Sequence, residues 1–358
     1  MDSIGRRYSM LSFLKKKVAS CALDYGTNAV KMVQIEPGKV PSLVKVGSAS
    51  WTVQEQEDRK QAGARVRELL GSHEVKDKVF ISSLHGHSVI IKRVSFTADS
   101  AKKLPDIVQK EAKQYIPFDI NDVYLDYGIL SVKNKTDYDL VLVACKRVAV
   151  DNLERLAEES GAALAIVDVD AFALSNCYEF NYYEDLDTPV YLLDIGASQS
   201  VFCAYQDRQP SLVRDVPSGG NRVTEGIARG LNIRMAEAEQ IKINGPDDFD
   251  DESISTTQRE VRDAVSVWVS EIRRAMMGHQ QAAGEAAETI STMYISGGGS
   301  LLPGLAEHLS EALDLEVRHL DPWRKIKVNE AAFDPVFLKE NGPKFVVATG
   351  LALRSVIK

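Results

Sequence analysis

Hydrophobic and polar positions run through this chain in two passes of the same design. Each pass opens on an apolar run ending in an Asp-x-Gly turn: Leu23-Asp24-Tyr25-Gly26-Thr27 and Leu193-Asp194-Ile195-Gly196-Ala197-Ser198. A second β-prone run follows each turn, Ala29 to Ile35 and Ser200 to Tyr205. The pattern predicts one β-turn-β hairpin used twice. One such turn carries little, because hairpins use Asp and Gly widely. A matched pair heading two half-chains is far more specific.

Between the hairpins the periodicity predicts an amphipathic helix over 58–70 and a buried strand over Lys78–Leu84. His85-Gly86-His87 then reads as a turn between two strands. As a metal pair it lacks any further Cys or His nearby in sequence. Residues 95–165 read as an inserted αββα unit: a helix over Asp99–Tyr115 ending before Pro117, strands over Tyr124–Leu130 and Leu140–Lys146, and a helix over Val150–Ser160 stopped by Gly161. A strand over Ala165–Val169 leads into a helix over Ala171–Tyr178. After the second hairpin, Ser218-Gly219-Gly220-Asn221 starts a helix to about Arg229, and a second helix covers 235–243. Residues 244–257 read as an acidic, solvated loop without calcium-loop spacing. A long helix over 257–281, a strand over Thr292–Ile295, the Gly297-Gly298-Gly299 turn and a helix after Pro303-Gly304 follow. A buried run and helix within Lys344–Val356 close the pattern.

Composition narrows the class. The 358 residues allow two or more domains, and 44% hydrophobic with 26% charged residues is ordinary for a soluble globular chain. A net charge of -8 argues against a general nucleic-acid binder. No apolar run approaches the ~20 residues of a membrane span, and no signal-peptide pattern is seen. The basic segment 1–19 reads as a solvated leader, with a short amphipathic membrane-touching stretch as the alternative. Cysteines 21, 145, 177 and 203 form no CxxC pair; Cys145 and Cys203 read as buried free thiols.

The candidate chemistry is phosphate binding. Glycine lets a turn bring backbone N–H groups close to an anion, Ser and Thr hydroxyls add donors, and aspartate can hold a hydrated Mg²⁺. Two such turns across a cleft would grip a nucleotide from both sides. The strand–Gly297-Gly298-Gly299–helix segment suits nucleotide contact at a helix N-terminus, or is a plain strand–helix turn. It matches neither a Walker A loop nor GxGxxG. Glu239 and Lys242 share a helix face and suit ribose and base, or form an i,i+3 ion pair. Asp168 and Asp170 end a strand and begin a helix. Asp170 reads as the N-cap, and Asp168 as the candidate catalytic residue that orients an attacking water.

These pieces fall in an order that resembles the actin-like ATPase superfamily, which includes actin, the heat-shock chaperone ATPase domain, sugar kinases and FtsA. Within it the chain is similar to the PilM family of type IV pilus assembly, over about Met10 to Lys358. Besides the two turns, the resemblance is carried by Glu111-Ala112-Lys113-Gln114-Tyr115-Ile116-Pro117-Phe118, Val167-Asp168-Val169-Asp170-Ala171-Phe172-Ala173, Gly219-Gly220-Asn221-Arg222-Val223-Thr224-Glu225, Tyr294-Ile295-Ser296-Gly297-Gly298-Gly299, Asp321-Pro322-Trp323 and Ala348-Thr349-Gly350-Leu351-Ala352-Leu353-Arg354. Tyr115-Ile116-Pro117-Phe118 in an inserted unit separates PilM and FtsA from actin and sugar kinases. Tyr25 departs from the Ile or Val usual in its turn. Residues 1–9 precede the usual family start, so Met10 is expected as the natural initiator, or 1–9 as disordered.

The resemblance implies an α/β, actin-like (RNase H-like) two-lobed ATPase fold with an FtsA-type inserted subdomain. The expected units are 20–93 plus 166–189, the insert 94–165, then 190–220 plus 292–358 with its own insert 221–291. ATP and Mg²⁺ are expected in the cleft. Gly26, Thr27, Asn28 and Lys31 would meet the phosphates from one side, and Gly196, Ala197 and Ser198 from the other. Gly220, Gly298, Gly299, Glu239 and Lys242 would line the nucleoside, and Asp24 and Asp194 would hold Mg²⁺ through water. The family implies a partner, the N-terminal cytoplasmic peptide of PilN, with other pilus platform proteins and self-association as further contacts. The expected location is the cytoplasmic face of the inner membrane, reached through partners. Hydrolysis is expected to be slow or absent, because an Asp is shorter than the Gln or Glu of faster relatives. The competing readings are a true ATPase or phosphotransferase, an FtsA-like division protein, and the cytoplasmic component of type II secretion. The close of the chain at 355–358, directly after the last core helix, favours the pilus reading over the last two.

Overall fold

A computed structural model describes residues 21–76, 78–245, 250–283, 288–354 and 356. The leader 1–19, the Met10 start and part of the acidic stretch (246–249) lie outside the described residues. The first half begins β1 (Cys21–Tyr25), β2 (Ala29–Glu36), β3 (Ser42–Ser50), α1 (Val53–Glu57), α2 (Arg59–Ser72) and β4 (Val79–Leu84). It continues with β5 (Val89–Thr97), α3 (Leu104–Glu111), β6 (Val123–Lys133), β7 (Asp137–Lys146), α4 (Arg147–Glu159), β8 (Ala163–Val169) and α5 (Asp170–Asn181). The second half holds β9 (Val190–Ile195), β10 (Ser200–Gln206), β11 (Gln209–Val216), α6 (Gly220–Leu231), α7 (Met235–Asn244) and α8 (Asp251–Ala283). It closes with β12 (Thr292–Ser296), α9 (Leu305–Leu313), β13 (Glu316–His319), α10 (Pro335–Asn341) and α11 (Val346–Leu353).

The two passes become two five-stranded sheets of one topology, ordered β3-β2-β1-β4-β8 and β11-β10-β9-β12-β13. In each, three antiparallel strands are followed by two parallel ones. The two hairpin turns are closed by the same bond, Gly26 N–H to Ala29 C=O and Gly196 N–H to Gln199 C=O, both 3.0 Å. A third sheet, β5-β7-β6, forms the inserted unit. Its middle strand reads as a continuous apolar run because both faces are covered. Leu140, Leu142 and Ala144 pack with α3, while Val141, Val143 and Cys145 pack with α4 and β8.

Several elements differ from the pattern reading. The helix expected over Asp99–Tyr115 is regular only over Leu104–Glu111, with single 3₁₀ turns on either side. Strand β5 joins the inserted sheet and runs from residue 89 through 97. The acidic stretch is partly helical. Asp250 caps α8 by accepting from Ser253 N–H at 2.8 Å, and Asp251 and Glu252 fill its first turn, where the helix dipole favours negative charge. Strands β3, β11 and β13 follow no clear alternation and form because a neighbouring strand leaves an edge to pair with. All four cysteines are buried and outside any disulfide. No helix among the described residues is long and apolar enough to cross a membrane.

The halves are laced together by exchanged helices. Helix α11, from the end of the chain, covers the first sheet through Ala348, Leu351, Ala352 and Leu353 against Ala22, Val33, Ile35 and Ile81. Helix α5 covers the second through Leu174, Cys177 and Tyr178 against Leu192, Cys203 and Tyr205. The two helices touch where Gly350 meets Ala173: a Cβ on Gly350 would lie 1.8 Å from the Ala173 carbonyl oxygen. Gly350→Ala should therefore destabilise the protein by about 1–3 kcal/mol through overpacking, read as a lower urea midpoint. Gly71→Ala, in α2 with open space around it, should be neutral or stabilising by up to about 1 kcal/mol. Equal effects of the two would refute this account of the helix crossing.

Candidate functional site

In a parallel sheet, ligands gather beyond the carboxyl ends of the strands. Strands β1, β4 and β8 are adjacent and parallel, so their ends bring Asp24, His85 and Asp170 side by side. Strands β9 and β12 do the same with Asp194 and with Ser296 leading into Gly297-Gly298-Gly299. The two sets face each other across a cleft of about 320 Å³, large enough for a small ligand.

Nearly all the residues expected at the site line this cleft. Asp24, Gly26, Thr27, Asn28 and Lys31 come from the first lobe, and Asp194, Gly196, Ala197, Ser198, Gly220, Glu239, Lys242, Gly298 and Gly299 from the second. The turns touch directly: the hydroxyls of Thr27 and Ser198 are 2.7 Å apart, and Asn28 Nδ2 donates to Asn221 Oδ1 at 2.7 Å. The second turn is tied to the start of α6 by Gly220 N–H to Gly196 C=O at 2.9 Å and Asn221 N–H to Ala197 C=O at 2.8 Å. Only glycine fits at Gly297, where φ is +82° and a Cβ would meet the Ile195 carbonyl oxygen at 2.4 Å.

Asp168 is the exception. It is fully buried, absent from the cleft lining, and ion-paired with Arg354 just after α11. Burial is the largest influence on it and keeps its carboxyl above the usual range despite Arg354. A carboxylate spent on an internal guanidinium cannot orient a water in the cleft. Asp170 is also not an N-cap: Val169 holds that position and Asp170 is the first helical residue. Its carboxylate instead accepts from the Ser83 hydroxyl and pairs with His85 Nδ1 at 3.0 Å, facing the cleft.

The cleft concentrates carboxylates and balances them singly. Burial opposes the Lys31 ammonium, but Asp24 at 2.9 Å, with Asp194 and Asp170 further away, outweighs it and holds its pKa high. Burial pushes the Asp194 carboxyl up to about 6, against the Ser296 hydroxyl that donates to it at 2.8 Å. Glu239 and Lys242 do pair, at 2.7 Å, and Lys242 also donates to Thr224 Oγ1 at 3.0 Å. The i,i+3 pair and the cleft-lining role thus coincide, because α7 packs its pair against the start of α6.

Sequence reasoning missed four contributors. Trp51 Nε1 donates to the carbonyls of Gly26 and Thr27 at 3.2 and 3.0 Å, and its ring stacks on Tyr25. Lys344 lines the cleft with its pKa lowered by burial and by Lys31. Ser296 and His85 complete the set. Trp51 and His85 carry a signal only once β3 and β4 are known to end beside the first turn.

Two like-built sheets facing across this cleft, with a third sheet inserted in the first half, make an actin-like (RNase H-like) two-lobed α/β protein with an FtsA-type inserted subdomain. The family model described as type IV pilus assembly protein PilM matches residues 22–356, and the chain belongs to that family. Among solved structures it is similar to the chain titled PilM-PilN type IV pilus biogenesis complex, with 26% identity, a TM-score of 0.85, and coverage of 96% of this chain and 100% of that one. It shares the fold of the ethanolamine utilization protein EutJ of Carboxydothermus hydrogenoformans, at 16% identity and TM-score 0.56 over 93% of this chain and 88% of that one. The cell division protein FtsA of Neisseria meningitidis serogroup B is 25% identical over 247 residues, 64% of this chain and 59% of that protein. FtsA of Bacillus subtilis is 22% identical over 232 residues, 60% of this chain and 52% of that protein. The chain thus spans between about half and three-fifths of the length of these relatives.

The His85–Asp170 pair makes the stability of the protein depend on pH. Asp170 raises the His85 pKa to about 9, helped by Asp24 and Asp215 and opposed by burial; Asp215 in turn faces His87. Burial alone would raise Asp170, but His85, Ser83 and Lys31 overcome it and hold its carboxyl low. A histidine whose folded pKa exceeds its unfolded value contributes stability that is complete below about pH 6.5 and is lost as pH rises through about 9. After screening at a partly exposed site, this loss should amount to roughly 1–3 kcal/mol. Urea unfolding of the wild type should weaken over that window, and Asp170→Asn should flatten the loss. An unchanged slope in the variant would refute the pairing.

Proposed function

We propose that this protein is an ATP-binding scaffold of the type IV pilus inner-membrane assembly platform that captures the N-terminal cytoplasmic segment of PilN. The observation that carries the reading is the family match along nearly the whole chain, together with likeness to a PilM-PilN complex over 96% of it. On this reading the protein works at the cytoplasmic face of the inner membrane and reaches it through partners. The four-unit division, 20–93 with 166–189, 94–165, 190–220 with 292–358, and 221–291, belongs to the same proposal.

The residues present suit a nucleotide. A Cβ on Gly219 would strike the Ala197 carbonyl oxygen at 2.5 Å, and one on Gly299 would strike Ile195 at 2.5 Å, while Gly298 faces open space. The result is a side-chain-free cradle between the turns and α6. In the proposal Gly26, Thr27, Asn28 and Lys31 hold phosphate oxygens from one side, and Gly196, Ala197 and Ser198 from the other. Gly220, Gly298, Gly299, Glu239 and Lys242 meet the nucleoside. Asp24 and Asp194 accept from waters on Mg²⁺, an ion that takes one or two carboxylates and keeps several waters. Bound Mg²⁺ would supply charge neutralisation for the phosphates. It would also relieve Asp194, whose carboxylate burial makes costly. Withdrawal of Asp168 to Arg354 supports slow or absent hydrolysis.

Calorimetric titration with a synthetic PilN N-terminal peptide, with and without Mg-ATP, tests the partner. Saturable binding is expected, and its absence in both states would overturn that part of the reading. Asp194→Ala should weaken Mg-ATP binding about tenfold or more while leaving circular dichroism unchanged. Unchanged ATP affinity would remove the assigned metal role.

A further inference from the structure

The middle strand of the first lobe also ends in the cleft. Strands β1 and β8 contribute Asp24 and Asp170, and β4, between them, contributes His85. Its Nδ1 is engaged by Asp170 at 3.0 Å, its side chain is 33% exposed, and its Nε2 has no hydrogen-bond partner among the described residues. The other cleft cations are held on their own partners: Lys31 on Asp24, Lys242 on Glu239 and Thr224, and Lys344 on Asn341 at 2.8 Å. We propose that the His85 imidazolium is a ligand for the terminal phosphate of a bound nucleoside triphosphate, and so selects triphosphate over diphosphate. The inference rests on the nucleotide reading of the cleft.

Position within the cleft singles out the terminal phosphate. The nucleoside end is marked by Glu239, Lys242 and Ile243 of α7 and Trp268 of α8. The two glycine turns occupy the middle. His85 lies on the first lobe, where the cleft adjoins a side cavity of about 150 Å³ lined by Val89–Lys92, Val169–Ala171 and Asp215. The charges acting on it most strongly include Asp170, Asp24 and Asp215. On this assignment a phosphate chain entering from the nucleoside end passes the turns and brings its third phosphate to His85 on the first lobe, and a diphosphate stops short.

Charge balance gives the effect its sign. Asp170 is a low-pKa carboxylate facing the cleft, and His85 neutralises it while presenting a second N–H to an incoming anion. Removing the imidazole deletes that donor and uncovers Asp170, which then repels the terminal phosphate. The loss falls on the triphosphate.

The test uses the full chain in Mg²⁺, with calorimetric Kd values for ATP and ADP measured on the wild type, His85→Gln and His85→Arg. His85→Gln should lose about tenfold or more in ATP affinity and less than about twofold for ADP. His85→Arg, which keeps the charge, should hold ATP within about threefold of wild type. Equal losses for the two nucleotides, or none, would overturn the inference while leaving the cleft reading intact. A wild type that binds neither nucleotide overturns the cleft reading, and the inference with it. Should His85→Gln fail to fold, the wild-type His85 imidazole resonance decides instead. It should move on addition of a non-hydrolysable ATP analogue and not with ADP, and a resonance unmoved by the triphosphate overturns the assignment.

Discussion

The crossing of α5 and α11 is the constraint on which the cleft depends. Each helix comes from one half of the chain and covers the sheet of the other, so neither lobe completes its core alone. Their contact at Ala173 and Gly350 has no room for a methyl group. Backbone packed on backbone sets the distance between the two sheets, and that distance sets the spacing of the two glycine turns. Arg354, just beyond α11, extends the same seam by neutralising Asp168 at the end of β8. A buried carboxylate without that partner would carry the full desolvation cost.

Above this seam the cleft is an exercise in placing negative charge. Asp24, Asp170 and Asp194 all stand at strand ends and point into one space. Lys31 answers Asp24, His85 answers Asp170, and among the described residues Asp194 has the Ser296 hydroxyl close by, with Lys31 further off. Asp194 is thus the carboxylate among them that burial pushes up, to about 6. The Thr27–Ser198 and Asn28–Asn221 contacts show how closely the lobes approach at the turns. A phosphate seated between the turns would replace hydroxyl–hydroxyl and amide–amide contacts with charge-assisted ones.

Much of this was legible in the chain. Both hairpins, strands β6 and β7 of the insert and the glycine turn after β12 follow from apolar runs bounded by Gly, Asp and Pro, since such signals are local. The paired turns directed attention to nearly every residue that lines the cleft. The failures share one cause. Asp168 lies near the end of β8 and Asp170 opens α5, so the strand alternation that would put residues two apart on one face ends between them, and only the tertiary neighbours decide which carboxylate meets the cleft. Strands β3, β11 and β13 lack strong periodicity because they pair at sheet edges or near solvent. The stretch around 250 reads as loop by charge, yet Asp250 and the two acids after it begin a helix.

The sequence by itself determined a duplicated strand–turn–strand plan, the glycines that permit close backbone approach, and the carboxylates that end the strands. These are properties of short segments, set by side-chain alternation and backbone freedom. The tertiary structure alone decided that α5 and α11 exchange sheets, that Asp168 is consumed by Arg354 while Asp170 faces the cleft, and that Trp51, His85 and Lys344 join the site. Those outcomes depend on contacts between residues far apart in the chain, and no local pattern records which partner will arrive.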